Sequence, residues 1–461
     1  MGPSHRPIPI LLRPAHLTKN PESPLSTPRT GTPALPPGPV EPLDISFSED
    51  ALSKLCRFFA AYGDAFRVFS PVMQGHIYVL SHPDHVRRVF VDNHQNYTKG
   101  IGIERVGILL GNGIMVSEGE LWRRQRKMIQ PLFHRDMIAR MVEHIRGANL
   151  QLLEKWMACA EKNEEINLTQ DMSEVTLNIV LRAIFGDELE TIVSTHGSNP
   201  FALLTEETER NLTFAYKFRA LSKLIMDCVS RRRAQNQEHC DLLAMLIDAR
   251  ERKSGEPMPD KQLLDEVMTL IVAGHETTAS ALNWMWYLLA QHPAVEQRLH
   301  QEIDSLPAPP ATIEDAARLP YARQVIEETL RLYPPGWLLT RRSIDADDIG
   351  GYPIAPKTDV FISPYLVHRH PGFWADPERF DPKRFDAAHS AQRNRFCYLP
   401  FALGPRACIG EHFAMIEMIL HTALLARRIR LRYLSRQPVE LECQVNLRTK
   451  HSLYMMPEKR Q

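Results

Sequence analysis

The side chain with the strongest claim to chemistry is Cys408. It closes the Gly-rich stretch Phe401-Ala-Leu-Gly404-Pro-Arg406-Ala-Cys408-Ile-Gly410, which runs into an apolar helical segment. A thiol placed where a loop gives way to a helix faces free backbone N–H groups and the positive end of the helix dipole, so its thiolate is favoured. Thiolates are ligands for soft metals and for haem iron. Gly404 can adopt backbone angles closed to other residues, Gly410 leaves room for a flat ligand, and Arg406 adds a fixed positive charge. Read from these residues alone, a small buried cysteine in a helix-capping loop is the alternative.

Three further groupings carry polar side chains at purposeful spacing. In Leu270-Ile-Val-Ala273-Gly274-His-Glu276-Thr277-Thr278-Ala279 a glycine interrupts a helical apolar run, at a cost of about 1 kcal/mol relative to alanine. Such a cost points to close approach by another body. Glu276 beside two hydroxyls is expensive to bury unless hydrogen-bonded, and a plain core helix is the alternative. Trp122 and Arg126, four apart, put two donors on one helical face, where they could hold a carboxylate. Arg123, Arg124 and Lys127 then point partly elsewhere, as a basic patch for an acidic partner. Glu328 and Arg331, three apart, can pair on a shared face, and if exposed the pair is worth only about 0.5 kcal/mol.

These groups need elements to hold them. Residues 51–62 read as an amphipathic helix, 65–69 and 76–80 as strands joined by a turn, and 83–91 as helix. A Gly-rich loop is expected over 96–120, core helices over 140–159 and 171–185, a loop over 194–200 and a helix over 201–228. A long helix is expected from about Asp260, as its cap, to Gln291, stopped at His292-Pro293. Charged residues at 265, 266 and 276 exclude a transmembrane span there. Pro320 opens a helix that ends before Pro334-Pro335, and 348–354 with 357–362 read as a hairpin completing a small sheet. The run Arg427-Arg-Ile-Arg430 with Arg432 reads as a solvated helix end favoured by the dipole. Residues 445–455 read as a strand or hairpin.

The chain has 461 residues with 55 Lys+Arg against 55 Asp+Glu, so net charge implies neither nucleic acid nor an acidic membrane surface. Seven scattered cysteines without a Cys-x-x-Cys pair suit a reducing cytoplasm rather than a disulfide framework or a structural zinc site. Residues 1–42 are rich in Pro, Ser and Thr and lack an apolar run of membrane length, so they are expected to form a flexible arm with no membrane anchor.

The pattern Phe401-x-x-Gly404-x-Arg406-x-Cys408-x-Gly410 resembles the haem-binding signature of the cytochrome P-450 family, with five fixed residue types in ten positions. The resemblance extends in order over roughly residues 36–456. It implies a mainly α fold with a smaller β-rich portion, a single large domain over 43–461 after the arm at 1–42. Cys408 would be the proximal ligand of haem b. Trp122 and Arg126 would bind one propionate and Arg341 the other, or Arg342 if the register slips by one. Phe401, Gly404, Arg406, Gly410, Ala273 and Gly274 would border the cofactor. Glu276 and Thr277 would deliver protons during oxygen activation. Leu270, Trp337, Leu338, Leu339 and Thr340 would line the substrate pocket, the 96–120 loop would arch over it, the 201–228 region would roof it, and the tip of the C-terminal segment would project into it. Glu328 and Arg331 would lock to Arg379 as structural residues.

By the same resemblance the reaction is hydroxylation of an apolar small molecule with O2 and two electrons. A terpenoid ranks ahead of a fatty acid. The electrons would come from NAD(P)H through a ferredoxin or flavodoxin with its reductase, because no flavin domain fits in this length. Peroxide-driven and rearranging relatives depart from the acid–alcohol pair that this chain keeps. A haem-binding sensor without turnover is the reading from another class. A monomer in the cytoplasm, with no nucleic-acid partner, is expected.

Overall fold

The computed structural model describes residues 35–44, 50–205, 212–235, 239–252 and 254–460. They fall into two compact units, each assembled from three stretches of chain. One takes 1–103, 327–408 and 435–451, and the other 104–326, 409–434 and 452–461.

The first unit is built on a five-stranded sheet. Strand Ala65–Ser70 turns back on Gly75–Leu80, which pairs in parallel with Asp359–Ile362; Leu339–Ser343 and then Tyr97–Lys99 follow, both antiparallel. Helix Ala51–Tyr62, expected with those bounds, buries Leu52, Leu55, Phe58 and Phe59. Most of the arm lies outside the described residues. Its end is not loose, however: Arg67 donates its amide to Pro37 O at 2.8 Å and Leu43 donates to Phe69 O at 2.9 Å. Residues 37–43 thus cover the outer edge of the sheet, where unpaired strand groups would otherwise be presented.

Four local expectations are corrected here. The 96–120 stretch contains strand Tyr97–Lys99 and helix Ile103–Leu110. Helix Glu188–His196 reaches into the expected 194–200 loop. Within 201–228, residues 200–204 form a 3-10 turn, 206–211 lie outside the described residues, and a helix runs from Leu212 to Gln235. The 348–362 hairpin divides: Asp347–Ile349 pairs with Tyr352–Ile354 as a separate ribbon, while Asp359–Ile362 joins the large sheet.

The second unit is helical. Its centre is helix Asp260–Gln291, packed against Leu168–Phe185, with Glu411–Ala426 packed against Arg135–Lys162. Asp260 is the first residue of the long helix rather than its cap: Pro259 precedes it, and the Asp260 carboxylate pairs with Arg233 at 2.6 Å. From Thr278 to Leu289 every residue of this helix is buried, whereas Leu270, Ala273, Glu276 and Thr277 stay half-buried. Trp156 and Trp286 meet edge-on at 5.7 Å in the core. A three-stranded sheet of Ile166–Asn167, Tyr454–Lys459 and Ile429–Tyr433 flanks these helices. Arg427 is not a solvated end residue: its guanidinium donates to the carbonyls of Ile303, Leu306 and Ala308. No helix among the described residues is long and apolar enough to cross a membrane.

Candidate active site

The cysteine loop takes its shape from its own backbone and from the first unit. Leu399 O accepts Ala402 N–H at 3.1 Å, Gly404 O accepts Ala407 N–H at 3.0 Å, and Phe401 O accepts Cys408 N–H at 2.8 Å, closing the loop on the sulfur-bearing residue. Gly404 has φ +72°, and a Cβ built on it would stand 1.9 Å from Phe90 O. Both facts require glycine. Ala402 also sits at φ +58°, a left-handed conformation that costs an alanine about 1–2 kcal/mol. Helix Glu411–Ala426 begins three residues after Cys408, with Gly410 as its cap.

Cys408 is exposed, while burial pushes the thiols of Cys397 and Cys228 up to about 11 and those of Cys56 and Cys443 up to about 12. These four are held as neutral thiols. An exposed sulfur on a loop fixed by glycine and backbone hydrogen bonds is the donor a haem iron requires, so the residues fit that group.

Behind the loop lies a polar lock. Glu328 and Arg331 are fully buried and paired, Nε to Oε2 at 2.6 Å and Nη2 to Oε1 at 2.8 Å. Arg331 also donates to the carbonyls of His368, Pro377 and Arg379 at 2.9, 2.7 and 3.1 Å. The pair is therefore buried and fully hydrogen-bonded, not the weak exposed pair its spacing alone allows. The expected third side chain is corrected: Arg379 contributes only its carbonyl and its side chain is 69% exposed, whereas Arg384 approaches Glu328 Oε1 at 3.4 Å. Pro377-Glu-Arg-Phe380 and Pro382-Lys-Arg-Phe385 share the pattern Pro-x-Arg-Phe, and nothing in the sequence selects the second.

Arg342 is held by both oxygens of Asp359 at 3.0 and 2.8 Å, while the Arg341 guanidinium lies over the Phe90 ring at 4.5 Å. Trp337 is buried and donates its indole N–H to Gln444 O at 3.0 Å, at the tip of hairpin Leu441–Cys443 and Leu447–Thr449. The same tip donates Leu447 N–H to Pro335 O at 2.9 Å. Thr340 donates its hydroxyl to Ile101 O at 3.1 Å. Leu338, Leu339 and Thr340 remain half-buried.

In the second unit Leu270, Ala273 and Thr277 form one stripe of the long helix at i, i+3 and i+7. Thr277 donates its hydroxyl to Ala273 O at 3.0 Å, which leaves the oxygen lone pairs to accept. A Cβ on Gly274 would meet Val180 at 2.9 Å. Helix Leu168–Phe185 is thus one body whose close approach this glycine admits. Trp122 and Arg126 are half-buried on helix Gly119–Ile129. Of their basic neighbours, Arg124 donates to Gln262 at 3.0 Å and Arg123 pairs with Glu120. Asp265 and Glu266, unremarked in the sequence beyond their charge, accept the amides of Asn112 and Ile114 at 2.9 and 2.8 Å and so fix the turn before that helix.

A mainly helical chain with a smaller sheet portion, an exposed cysteine on a glycine-fixed loop and a buried Glu-x-x-Arg lock defines a haem-thiolate protein. The cytochrome P450 family profile matches residues 41–198 and 198–457, and the chain belongs to that family. It is 33% identical to cyclooctatin synthase of Streptomyces melanosporofaciens over 83% of this chain and 86% of that protein. It is 32% identical to cyclooctat-9-en-7-ol 5-monooxygenase of the same organism over 77% and 80%. The protein LUTEIN DEFICIENT 5 of Arabidopsis thaliana is also 32% identical, over 88% of this chain and 74% of its own length. Among solved structures, a cytochrome P450 (CYP102L1) superposes with a TM-score of 0.82 at 22% identity, covering 94% of this chain and 100% of that one. The protein is a cytochrome P450 monooxygenase.

Proposed function

We propose that this monooxygenase hydroxylates an apolar terpenoid, with electrons from NAD(P)H passed through a ferredoxin or flavodoxin and its reductase. The observation that carries the substrate class is the similarity to the two Streptomyces proteins, one of which is named for an unsaturated cyclic alcohol with a single hydroxyl. Such a substrate suits the half-buried Leu270, Leu338 and Leu339, which offer apolar surface and few hydrogen bonds.

Bound haem supplies oxygen activation, and the chain's residues supply its setting. Cys408 Sγ is the iron ligand and donates electron density. The Trp122 indole N–H with the Arg126 and Arg341 guanidiniums hold the propionate carboxylates. The engagement of Arg342 by Asp359 supports Arg341 for this role. Thr277 Oγ1 donates to Ala273 O and keeps lone pairs able to accept, so in this reading it releases its own proton as it takes one that originates at Glu276.

The test uses haem-loaded protein titrated with terpenoids and with fatty acids, following the spin-state shift of the haem absorption band, and then turnover with ferredoxin or flavodoxin pairs. Terpenoids are expected to give the shift and a hydroxylated product. A shift with fatty acids alone overturns the substrate class. Replacement Cys408→His is expected to abolish the thiolate-type spectrum of the reduced carbon-monoxide complex, and an unchanged spectrum removes Cys408 as the ligand.

A further inference from the structure

His368 joins the two structural features behind the cysteine. It lies fully buried between the Glu328–Arg331 lock and the start of the cysteine loop. The peptide amide of Leu399 can only donate, so His368 Nε2, 2.9 Å away, must accept. Nδ1 then carries the proton and donates to Arg331 O at 3.2 Å, while Arg331 returns a hydrogen bond to His368 O at 2.9 Å. Leu399 is where the loop leaves the core. Its own carbonyl closes the turn at Ala402, and the next carbonyl but one, that of Phe401, receives the Cys408 amide. The Tyr398 ring packs against the imidazole, tilted by 36° at 5.2 Å, and its hydroxyl donates to Glu327 O at 2.9 Å.

We propose that His368, as a neutral Nδ1–H imidazole, is a positioning residue for the thiolate. It transmits the position of the Glu328–Arg331 lock to the loop through the Leu399 amide and holds Cys408 in register for iron. Protonated His368 would face the Leu399 N–H with a second donor and release it. Burial, and then the charge of Arg331, hold the imidazole's pKa well below its ordinary value, which keeps the acceptor available. The inference rests on Cys408 being the iron ligand, so wild-type protein without a thiolate-type carbon-monoxide spectrum would refute that reading first and separately.

The experiment compares His368→Gln, whose amide can both accept from Leu399 and donate to Arg331, with His368→Leu, which can do neither. His368→Leu is expected to shift a substantial fraction of the reduced carbon-monoxide complex to the neutral-thiol form. It is also expected to speed haem release roughly tenfold, the effect of one unsatisfied buried amide. His368→Gln is expected to restore both largely to wild type. Wild-type behaviour of His368→Leu overturns the proposal, as does equal impairment of the two variants, which would make His368 a packing body only. Should His368→Leu fail to fold, ring-15N spectra of the reduced carbon-monoxide complex of wild-type protein decide: the Nδ1–H tautomer is expected, and Nε2–H overturns the assignment.

Discussion

The proposed proton relay at Thr277 starts from one fixed hydroxyl. Its hydrogen bond to Ala273 O fixes its rotamer on the half-buried stripe that also carries Leu270, and Glu276 follows Ala273 by three residues. Under the proposed relay, replacing Thr277 with Ala removes the oxygen that passes the proton. The variant is expected to bind haem normally and to divert reducing equivalents to hydrogen peroxide, lowering product per NAD(P)H several-fold. Intact coupling with the true substrate would falsify the proton-relay role. Residue types and spacing singled out Thr277, Glu276 and Cys408 as candidates without coordinates. Arg384 and His368 were not, because their roles are defined by partners 56 residues before one and 31 residues beyond the other.

At the scale of elements, the cysteine loop is held by contacts remote in sequence, and two substitutions probe them. Gly404→Ala forces a side chain into left-handed backbone, costing about 1–2 kcal/mol, and drives its Cβ into Phe90 O, which must move. Lower haem content and a lowered unfolding temperature are expected; unchanged values would show that the loop is not fixed there. The lock separates two neighbouring arginines. Arg384→Ala strips a charge partner from fully buried Glu328, which still keeps Arg331 and the Asp381 amide at 2.8 Å. A loss of about 1–3 kcal/mol in denaturant unfolding is expected, against about 0.5 kcal/mol or less for exposed Arg379→Ala. Equal losses would contradict the reassignment. The extent of helix Ala51–Tyr62 was readable from apolar periodicity, and the end of the long helix from periodicity together with Pro293. Strand partners were not, since the pairing of Gly75–Leu80 with Asp359–Ile362 depends on residues nearly 300 positions apart.

For the molecule as a whole, charge balance conceals two buried carboxyl groups of opposite effect. Burial pushes the Asp347 carboxyl up, but hydrogen bonds from Arg88, Tyr97 and Asn93 outweigh it and hold it below the usual range. Its folded pKa is depressed, so its contribution is complete above the unfolded value of about 4 and is lost as pH falls through the folded one. Glu417 is fully buried with neither carboxyl oxygen hydrogen-bonded, and burial raises its pKa well above the usual value. Its contribution is present below the unfolded value of about 4.3 and is lost as pH rises above it. Denaturant midpoints measured from acid to neutral pH should therefore lose part of their acid-side fall in Asp347→Asn, and should rise at neutral pH in Glu417→Gln. A neutral-pH midpoint for Glu417→Gln equal to or below wild type would contradict the buried, unpartnered acid.

The sequence by itself determined the family and the helical frame, because each is written in residues close together: a ten-residue loop and a 3.6-residue period. The tertiary structure alone decided what surrounds them. It chose Arg384 over Arg379, turned Gly274 toward Val180, laid residues 37–43 along a strand edge and placed His368 between lock and loop. Those outcomes follow from which buried donors must find which acceptors once distant segments pack, and no local pattern encodes that choice.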